Sequence, residues 1–339
     1  MKTVALALAA CLPAIAIAAN DRLSVFCWSE YIPQDVIENF QKETGIRVSV
    51  ENYASNEEML AKLLAGGGRY DVIQPSDYVV EALARENLLE PLDLSKIPNL
   101  KNITPRFLSM PFDPGNQFTV PFMLGTVGIV VNTEKITSPI RGYRDVFRPE
   151  HKGKIVVVDD SREIVTMALE TLGLPINDLN DEALAKARKL LKDWLPLVQV
   201  YDSDSPKTAM LNGDAVLGVV WAGEAARLLS EDKKFQWVVP EEGTHLFADN
   251  LAIPKGAKNK EAAHKFMDYI LRPDVSARIS QEFPYLNPNL QARKLLPPEA
   301  LANPASYPSE AELDKMELFR DIGSRSSVVD ELVTSLKLQ

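Results

Sequence analysis

The sequence predicts an α/β protein made of two units with a binding cleft between them. Between residues 23 and 89, apolar runs of strand length alternate with segments of helical spacing. The alternation is interrupted at residues 118–131 and then starts again in the second half of the chain. No Gly/Ser-rich linker separates the two series, so we expect lobes that share crossing strands and move about a hinge.

The first unit repeats strand and helix three times, which is the pattern of a parallel sheet covered by helices. Its predicted strands are 23–28, 46–50 and 70–74, and its predicted helices are 35–43, 56–65 and 78–89. The order breaks at residues 118–122 and 127–131, two apolar stretches separated by a short segment with Gly125. We interpret these stretches as two strands in the region where the lobes join.

The second unit begins with a predicted strand at 154–158 and a helix at 161–172, for which Ser161 is a candidate N-cap. Strands are also predicted at 216–221 and 251–253, and helices at 182–195, 222–229, 259–271, 311–322 and 328–336. These elements divide the chain into a leader of residues 1–19 and two lobes. The first lobe comprises 20–125 plus 249–293, and the second comprises 126–248 plus 294–339.

The leader has the features of an export signal. A positive start at Lys2 precedes an apolar run, and a small-x-small pattern at residues 16–18 predicts cleavage near Ala18-Ala19. Pro13 and the shortness of the run argue against a membrane-spanning helix, which needs about 20 apolar residues. We therefore expect a periplasmic protein. Residues 8–11 have the letters of a lipoprotein signal, so lipidation at Cys11 stays open as an alternative.

Composition narrows the classes of ligand. The formal net charge of the 339-residue chain is −10, and it becomes −11 when Lys2 leaves with the leader. An acidic surface disfavours nucleic acids, whose affinity rests on basic contacts to phosphates, and it permits cationic ligands. Cys27 has no possible disulfide partner once Cys11 is removed, so we expect a buried structural thiol.

The sequence carries no signature of catalysis or of metal binding. His151, His245 and His264 are the three histidines, and they lie far apart in no metal-ligand spacing. There is no Gly-x-Ser-x-Gly elbow, and the glycine run at residues 66–68 follows a helix and precedes a strand, the reverse of a phosphate loop. We therefore expect neither an enzyme nor a bound cofactor or metal.

Carboxylates, mostly with an aromatic neighbour, recur at five junctions between strands and loops. Each junction alone is explained as well by a helix cap or by core packing. Five together favour a binding cleft, because ligands of such sheets lie beyond the carboxyl ends of strands. The junctions are Trp28-Ser29-Glu30-Tyr31, Pro75-Ser76-Asp77-Tyr78, Asp159-Asp160-Ser161-Arg162-Glu163, Trp221-Ala222-Gly223-Glu224 and Phe247-Ala248-Asp249.

This combination of side chains suits a polyamine. Ammonium groups need carboxylates, because a desolvated cation is costly unless it is paired. The methylene chain between them needs flat apolar walls, and aromatic faces also attract cations. Arg162 is the only arginine in the junctions and lies between carboxylates, so the clamp expected for a carboxylate ligand is missing.

At these residues the chain resembles the spermidine/putrescine-binding periplasmic proteins of ABC importers. The similarity covers nearly the whole chain after the leader and includes WSEY at 28–31, YDVIQPS at 70–76, DDSRE at 159–163, GVVW at 218–221 and LRPDV at 271–275. It implies a two-lobed, type II-like periplasmic-binding-protein fold. It also implies a polyamine ligand and an inner-membrane ABC permease as partner. We expect a monomer with no nucleic-acid partner.

The resemblance further implies roles for particular residues. The walls along the aliphatic chain would come from Trp28, Tyr31, Tyr78, Trp221, Phe247 and Tyr285. The ammonium groups would be held by Glu30, Asp160, Glu163 and Asp249, with Ser29 and Ser76 as hydrogen-bonding neighbours. Glu224 matches a position that is acidic in the putrescine-preferring branch.

Three positions depart from the spermidine-preferring branch or from the family pattern. Phe247 stands where that branch tends to have tryptophan, and Phe319 stands where it has an amide that caps one end of the ligand. Asp77 is an extra carboxylate where a small neutral residue is usual. The choice between spermidine, putrescine and another polyamine therefore stays open.

Transport is the leading hypothesis: the protein would capture a polyamine and deliver it to the importer by hinge closure. The alternative is a polyamine-sensing partner of a membrane signalling receptor, which the sequence does not separate from transport. An enzyme acting on amines and a binder of another ligand, such as an amino acid, are further alternatives. The absence of catalytic motifs argues against the first, and the missing anion clamp argues against the second.

Overall fold

The computed structural model describes residues 22–66 and 69–338. The predicted leader, its cleavage site and the lipidation alternative at Cys11 lie outside these residues. Within them, no helix combines the length and the apolar character needed to cross a membrane. Cys27 is buried, as predicted, and burial raises the pKa of its thiol to about 12.

One mixed sheet runs through the described part of the chain. Its strands are β1 (Arg22–Trp28), β2 (Arg47–Tyr53), β3 (Val72–Ile73), β4 (Thr119–Asn132), β5 (Ile155–Val157), β6 (Val198–Tyr201), β7 (Leu217–Trp221), β8 (Phe235–Val238) and β9 (Leu246–Ala252). The order is β2-β1-β3-β9-β4-β7-β5-β6, with β8 also paired to β4. β1 pairs in parallel with β2 and β3, and β5 pairs in parallel with β6 and β7. β4 and β9 run antiparallel to each other and to their other neighbours.

Amphipathic helices cover this sheet. In the first helix the buried residues Val36, Ile37 and Phe40 recur at helical spacing, which gives that helix an apolar face toward the core. The helices are α1 (Gln34–Thr44), α2 (Asn56–Ala65), α3 (Asp77–Arg85), α4 (Tyr143–Val146), α5 (Ser161–Thr171), α6 (Asp181–Trp194), α7 (Lys207–Asn212), α8 (Ala222–Glu231), α9 (Lys260–Ile270), α10 (Pro273–Glu282), α11 (Leu290–Arg293), α12 (Pro298–Leu301), α13 (Glu310–Leu313) and α14 (Arg325–Lys337).

The strand β4 connects the two lobes and corrects the prediction of two separate strands at 118–122 and 127–131. Its first part pairs with β9, from Thr119 to Thr126, and its second part pairs with β7 and β8, from Val127 onward. Gly125 does not interrupt it, because the missing side chain makes room for the ring of Phe247. All of β4 is buried, so both faces are apolar and the usual alternation is absent.

The strand β9 also differs from the prediction, which placed a strand only at 251–253. It begins at Leu246, so Phe247 and Asp249 lie inside a strand and not just before one. An aspartate and an asparagine within a short segment favour a loop when only the sequence is read. Here both are buried in the centre of the sheet, where Asn250 Nδ2 donates to the carbonyl of Ala248.

Separate hydrophobic cores lie on the two sides of this junction. Phe26 and Phe266 belong to the first core, and Val157 belongs to the second. Leu313 packs in the first core, whereas Val329 packs in the second. The C-terminal part of the chain therefore packs on the first core at Leu313 and on the second core at Val329, and the boundary at residue 294 stays a prediction.

The helix predicted at 311–322 was wrong over most of its length, because α13 ends at Leu313. Beyond α13 the chain follows the edge of the crossing region: the carbonyl of Glu317 accepts a hydrogen bond from the backbone N–H of Leu246 at 2.9 Å. His245 and Glu317 form a parallel β-bridge there. This tertiary pairing overrides a local composition that would favour a helix.

Candidate ligand-binding cleft

A cleft lies between the two lobes, beyond the ends of the central strands. It encloses about 790 Å³, counting the part open to solvent, which is the size of a small-molecule site. All the site residues predicted from the sequence line it. The sequence analysis did not propose seven further lining residues, Tyr53, Ala54, Asn56, Arg162, Ser203, Asp204 and His245.

Strand ends and helix starts bring these side chains to the cleft. Trp28 is the last residue of β1, and the turn after it holds Glu30 at φ 51°, in the left-handed region. Ser76 is the N-cap residue of α3 and Asp77 is its first residue. Trp221 ends β7 and leads directly into α8. The strand-to-helix turns therefore form the cleft, as the parallel parts of the sheet require.

Asp249 is buried on β9 at the junction of the lobes. Its Oδ1 accepts a hydrogen bond from Ser76 Oγ at 2.6 Å, and its Oδ2 accepts one from the Tyr31 hydroxyl at 2.8 Å. Burial raises the pKa of this carboxyl to about 6, although both hydrogen bonds favour the ionised form. A cation that replaced the lost solvation would stabilise the carboxylate.

A second group of carboxylates surrounds Arg162 at one end of the cleft. Asp160 is the N-cap of α5 and accepts from the backbone N–H groups of Arg162 at 2.8 Å and of Glu163 at 3.0 Å. The cap is therefore Asp160 and not Ser161, which is the first residue of the helix. Burial raises the pKa of Glu163 well above its ordinary value, and the charge of Asp160 adds to the shift.

Asp77 is a further buried carboxyl beside this group. It is fully buried, and its Oδ1 accepts from the backbone N–H of Tyr78 at 2.8 Å. Its Oδ2 accepts no hydrogen bond of ordinary geometry among the described residues, although the backbone N–H of Ala248 is close enough to lower the pKa of the carboxyl. Burial raises its pKa well above the ordinary value, and the charge of Arg162 only partly opposes this. An acceptor of this kind beside a cleft is suited to a ligand N–H group.

His245 and Phe319 form the wall beside this group. Their rings are stacked with centroids 3.9 Å apart, and the guanidinium of Arg162 lies 4.5 Å from the centre of the Phe319 ring. His245 Nε2 is 3.2 Å from Glu163 Oε1. Burial lowers the pKa of His245 to about 3, with a further contribution from Arg162, so the imidazole is neutral at physiological pH.

At the other end a lysine occupies the space between two carboxylates. Lys207 Nζ lies 3.1 Å from Glu30 Oε2 and 2.8 Å from Glu224 Oε2, so it connects the first lobe to the second. Burial raises the pKa of Glu224, and the hydrogen bond from Lys207 opposes this. Nothing in the sequence marked Lys207, because it lies on the short helix α7, which was not predicted.

Aromatic rings line the space between the two ends. The ring centroids of Tyr31 and Tyr285 are 5.3 Å apart, and those of Phe247 and Tyr285 are 6.0 Å apart. Trp221 meets Phe247 edge to face at 5.7 Å, and its indole N–H donates to the carbonyl of Ser203 at 3.0 Å. These contacts fix the rings as flat apolar walls.

Comparisons with known proteins agree with this geometry. A profile of the family described as bacterial extracellular solute-binding protein matches residues 35–308. The chain belongs to this family. A spermidine/putrescine-binding periplasmic protein of Salmonella typhimurium is 38% identical over 320 residues, which cover 94% of this chain and 92% of that protein. A putrescine-binding periplasmic protein of Escherichia coli K12 is 33% identical over 311 residues, covering 86% and 84% respectively.

A solved structure of a solute-binding relative has the same fold. A putative spermidine/putrescine ABC transporter protein from Listeria monocytogenes superposes with a TM-score of 0.91 at 37% identity, covering 94% of this chain and 99% of that one. The predicted two-lobed periplasmic-binding-protein fold is therefore confirmed. The relatives named here are solute-binding proteins, and the comparisons do not support the alternative of a signalling partner.

Proposed function

We propose that this protein is a solute-binding receptor that captures a polyamine and delivers it to an ABC importer in the inner membrane. The observation that carries the proposal is the set of buried carboxyls that both lobes direct toward one aromatic cleft. Asp249 and Asp77 come from the first lobe, and Glu163 comes from the second. The names of the relatives support the same class of ligand.

The chemistry of the cleft fits both parts of such a ligand. Each ammonium group would pair with a carboxylate whose pKa is raised by burial, because the pairing supplies the charge compensation that the protein lacks. The methylenes between the ammonium groups would lie against Tyr31, Tyr285 and Phe247. Aromatic faces contribute about 0.5–2 kcal/mol for each cation that approaches them.

The remaining features of the function are part of the same proposal. The protein would act in the periplasm, as a monomer, with the permease as its macromolecular partner and without nucleic acid. It would bind its ligand without transforming it, because the carboxyls and aromatic rings of the cleft supply charge pairing and stacking. Hinge closure of the lobes around the ligand would present the loaded form to the permease.

Calorimetry tests the proposal directly. The exported chain is titrated with putrescine, cadaverine, spermidine and spermine, and with glutamate and γ-aminobutyrate as matched controls that carry a carboxylate. We expect saturable binding of at least one polyamine and none of the controls. Failure of all four polyamines to bind, or tighter binding of an amino acid, would refute the proposed function.

A further inference from the structure

Lys207 carries a fully coordinated ammonium group that pairs with two of the carboxylates lining the cleft, Glu30 and Glu224. Besides its contacts to Glu30 and Glu224, its Nζ donates to Ser205 Oγ at 2.9 Å. An ammonium group has three N–H donors, so these three oxygens satisfy it. Lys207 and Glu224 are both buried, and solvent therefore screens their attraction little.

Asp249 lies between two groups of cleft carboxyls. It accepts a hydrogen bond from Ser76 Oγ, next to Asp77 in the chain, and one from the Tyr31 hydroxyl, next to Glu30. The pKa directions agree with this placement: the charge of Asp249 adds to the effect of burial in raising the pKa of Asp77 and that of Tyr285. Glu163 lies with Asp77 and Asp160, whose charges add to the rise of its pKa.

We infer that Lys207 is a specificity-determining residue that fills one ammonium position of the cleft and so restricts the ligand to a short diamine. The inference rests on the proposed function. The two ammonium groups of a diamine would pair with Asp249 and with the carboxyls near Glu163. The position between Glu30 and Glu224 is taken by the protein's own ammonium group.

A longer triamine meets an obstacle at this position. Its third ammonium would have to displace Lys207 from both carboxylates, which leaves a buried cation with Ser205 as its remaining partner. Ser205 alone does not replace two charged acceptors. The lysine therefore discriminates by making the wrong ligand break an existing pair, and not only by favouring the right one.

The unmodified protein provides the first test. Calorimetry with 1,3-diaminopropane, putrescine, cadaverine and spermidine should give tighter binding of a diamine than of spermidine. Tighter binding of spermidine would overturn the role of Lys207 while leaving the proposed function intact. Absence of binding by every amine would refute the proposed function itself, so the two failures are distinguishable.

Three variants provide the second test. Lys207→Ala removes the ammonium group and opens the space, so the affinity ratio of spermidine to putrescine should rise about tenfold or more. Lys207→Met fills the same space without the charge and should give a much smaller rise. In the double variant Lys207→Ala with Glu224→Gln the rise should largely disappear, because one carboxylate that would hold the third ammonium is gone.

Thermal melts establish that each variant is folded before the affinities are compared. An unchanged ratio in folded Lys207→Ala would overturn the inference. An equal rise in Lys207→Met would do the same, because the position would then not be filled by a ligand group. If Lys207→Ala does not fold, the diamine and triamine affinities of the unmodified protein decide the matter.

Discussion

Asp249 is a central carboxyl of the proposed binding site, because it is buried at the junction of the lobes and accepts hydrogen bonds from Tyr31 and Ser76. Asp249→Ala should weaken putrescine binding by about 2–5 kcal/mol, since it leaves a desolvated ammonium unpaired. Asp113→Ala is the matched control. That carboxylate is also buried and accepts from Thr119 N and Oγ1, but it lies outside the cleft.

Calorimetry on both variants distinguishes a loss of ligand binding from a loss of folding stability. Asp113→Ala should lower the melting temperature and leave the affinity unchanged. If Asp249→Ala kept the affinity of the unmodified protein, Asp249 would not belong to the binding site.

The raised pKa of Asp249 predicts that affinity depends on pH. Below about pH 6 the ligand-free protein carries a proton on this carboxyl, and an ammonium binds the ionised form, so the proton must leave. The proton on Asp249 should thus lower the affinity about tenfold for each pH unit below about pH 6, for one linked proton. The stability of the ligand-free fold depends on pH in the opposite direction. Because the pKa of Asp249 is about 6 in the folded chain and 3.8 in the unfolded one, the free energy of unfolding falls as the pH rises from 3.8 to about 6.

Titrations between about pH 5 and 7.5 measure this dependence, and the amines of the ligand stay protonated throughout that range. In Asp249→Asn this part of the pH dependence should be absent. A flat affinity profile for the unmodified protein would show that Asp249 is not linked to binding.

Most residues that line the cleft were predicted from the sequence, and some were not. The carboxylates and aromatics at strand ends were found, because topology places such positions at one edge of the sheet. Lys207 and His245 were missed for different reasons. Lys207 lies on a helix of one and a half turns that has no clear periodicity, and His245 had no neighbour in sequence to suggest its stack on Phe319.

At the scale of elements, two glycines of β4 offer a matched pair of substitutions. A Cβ at Gly125 would overlap the ring of Phe247 in the cleft, and one at Gly128 would overlap the ring of Trp237 on β8. Gly125→Ala and Gly128→Ala should both destabilise the fold, by about 1–3 kcal/mol each, because both overpack a buried aromatic ring.

Only Gly125→Ala should also weaken ligand binding, because only Phe247 lines the cleft. Denaturant titration measures the stability of each variant, and calorimetry measures the affinity. Equal losses of affinity in the two variants would mean that strain in β4, and not the position of Phe247, controls the site.

The sequence correctly predicted helices that bury one apolar face. It gave the wrong secondary structure where pairing with a distant part of the chain determines the conformation. Helix α1 has an apolar stripe and was predicted to within a residue at each end. The segment after Leu313 was predicted as helix, yet Glu317 pairs with the start of β9. No local sequence pattern predicts that Glu317 pairs with a segment so far away in the chain.

At the scale of the whole molecule, bridging of the lobes by the ligand predicts closure. Carboxyls from both lobes line the cleft, and a polycation can pair with both sets only in a state where the lobes approach. Small-angle scattering should therefore give a smaller radius of gyration with the preferred polyamine. Differential scanning should give a melting temperature that rises with ligand concentration, because the ligand binds the folded chain.

Butylamine is the control for this prediction, because it has one ammonium group and cannot pair with carboxylates at both ends. It should have little effect on either measurement. An effect equal to that of putrescine or spermidine at matched concentration would exclude a mechanism in which the ligand bridges the lobes.

The first lobe draws its core from both ends of the chain, and this has a consequence for how the protein is made. Leu23 and Leu313 belong to the same hydrophobic cluster, although nearly the whole chain separates them. A chain that emerges with its N-terminus first therefore cannot complete this core until its last part has appeared. Contacts between such distant residues form slowly. The early part of the nascent chain should consequently stay without a complete core during most of its synthesis.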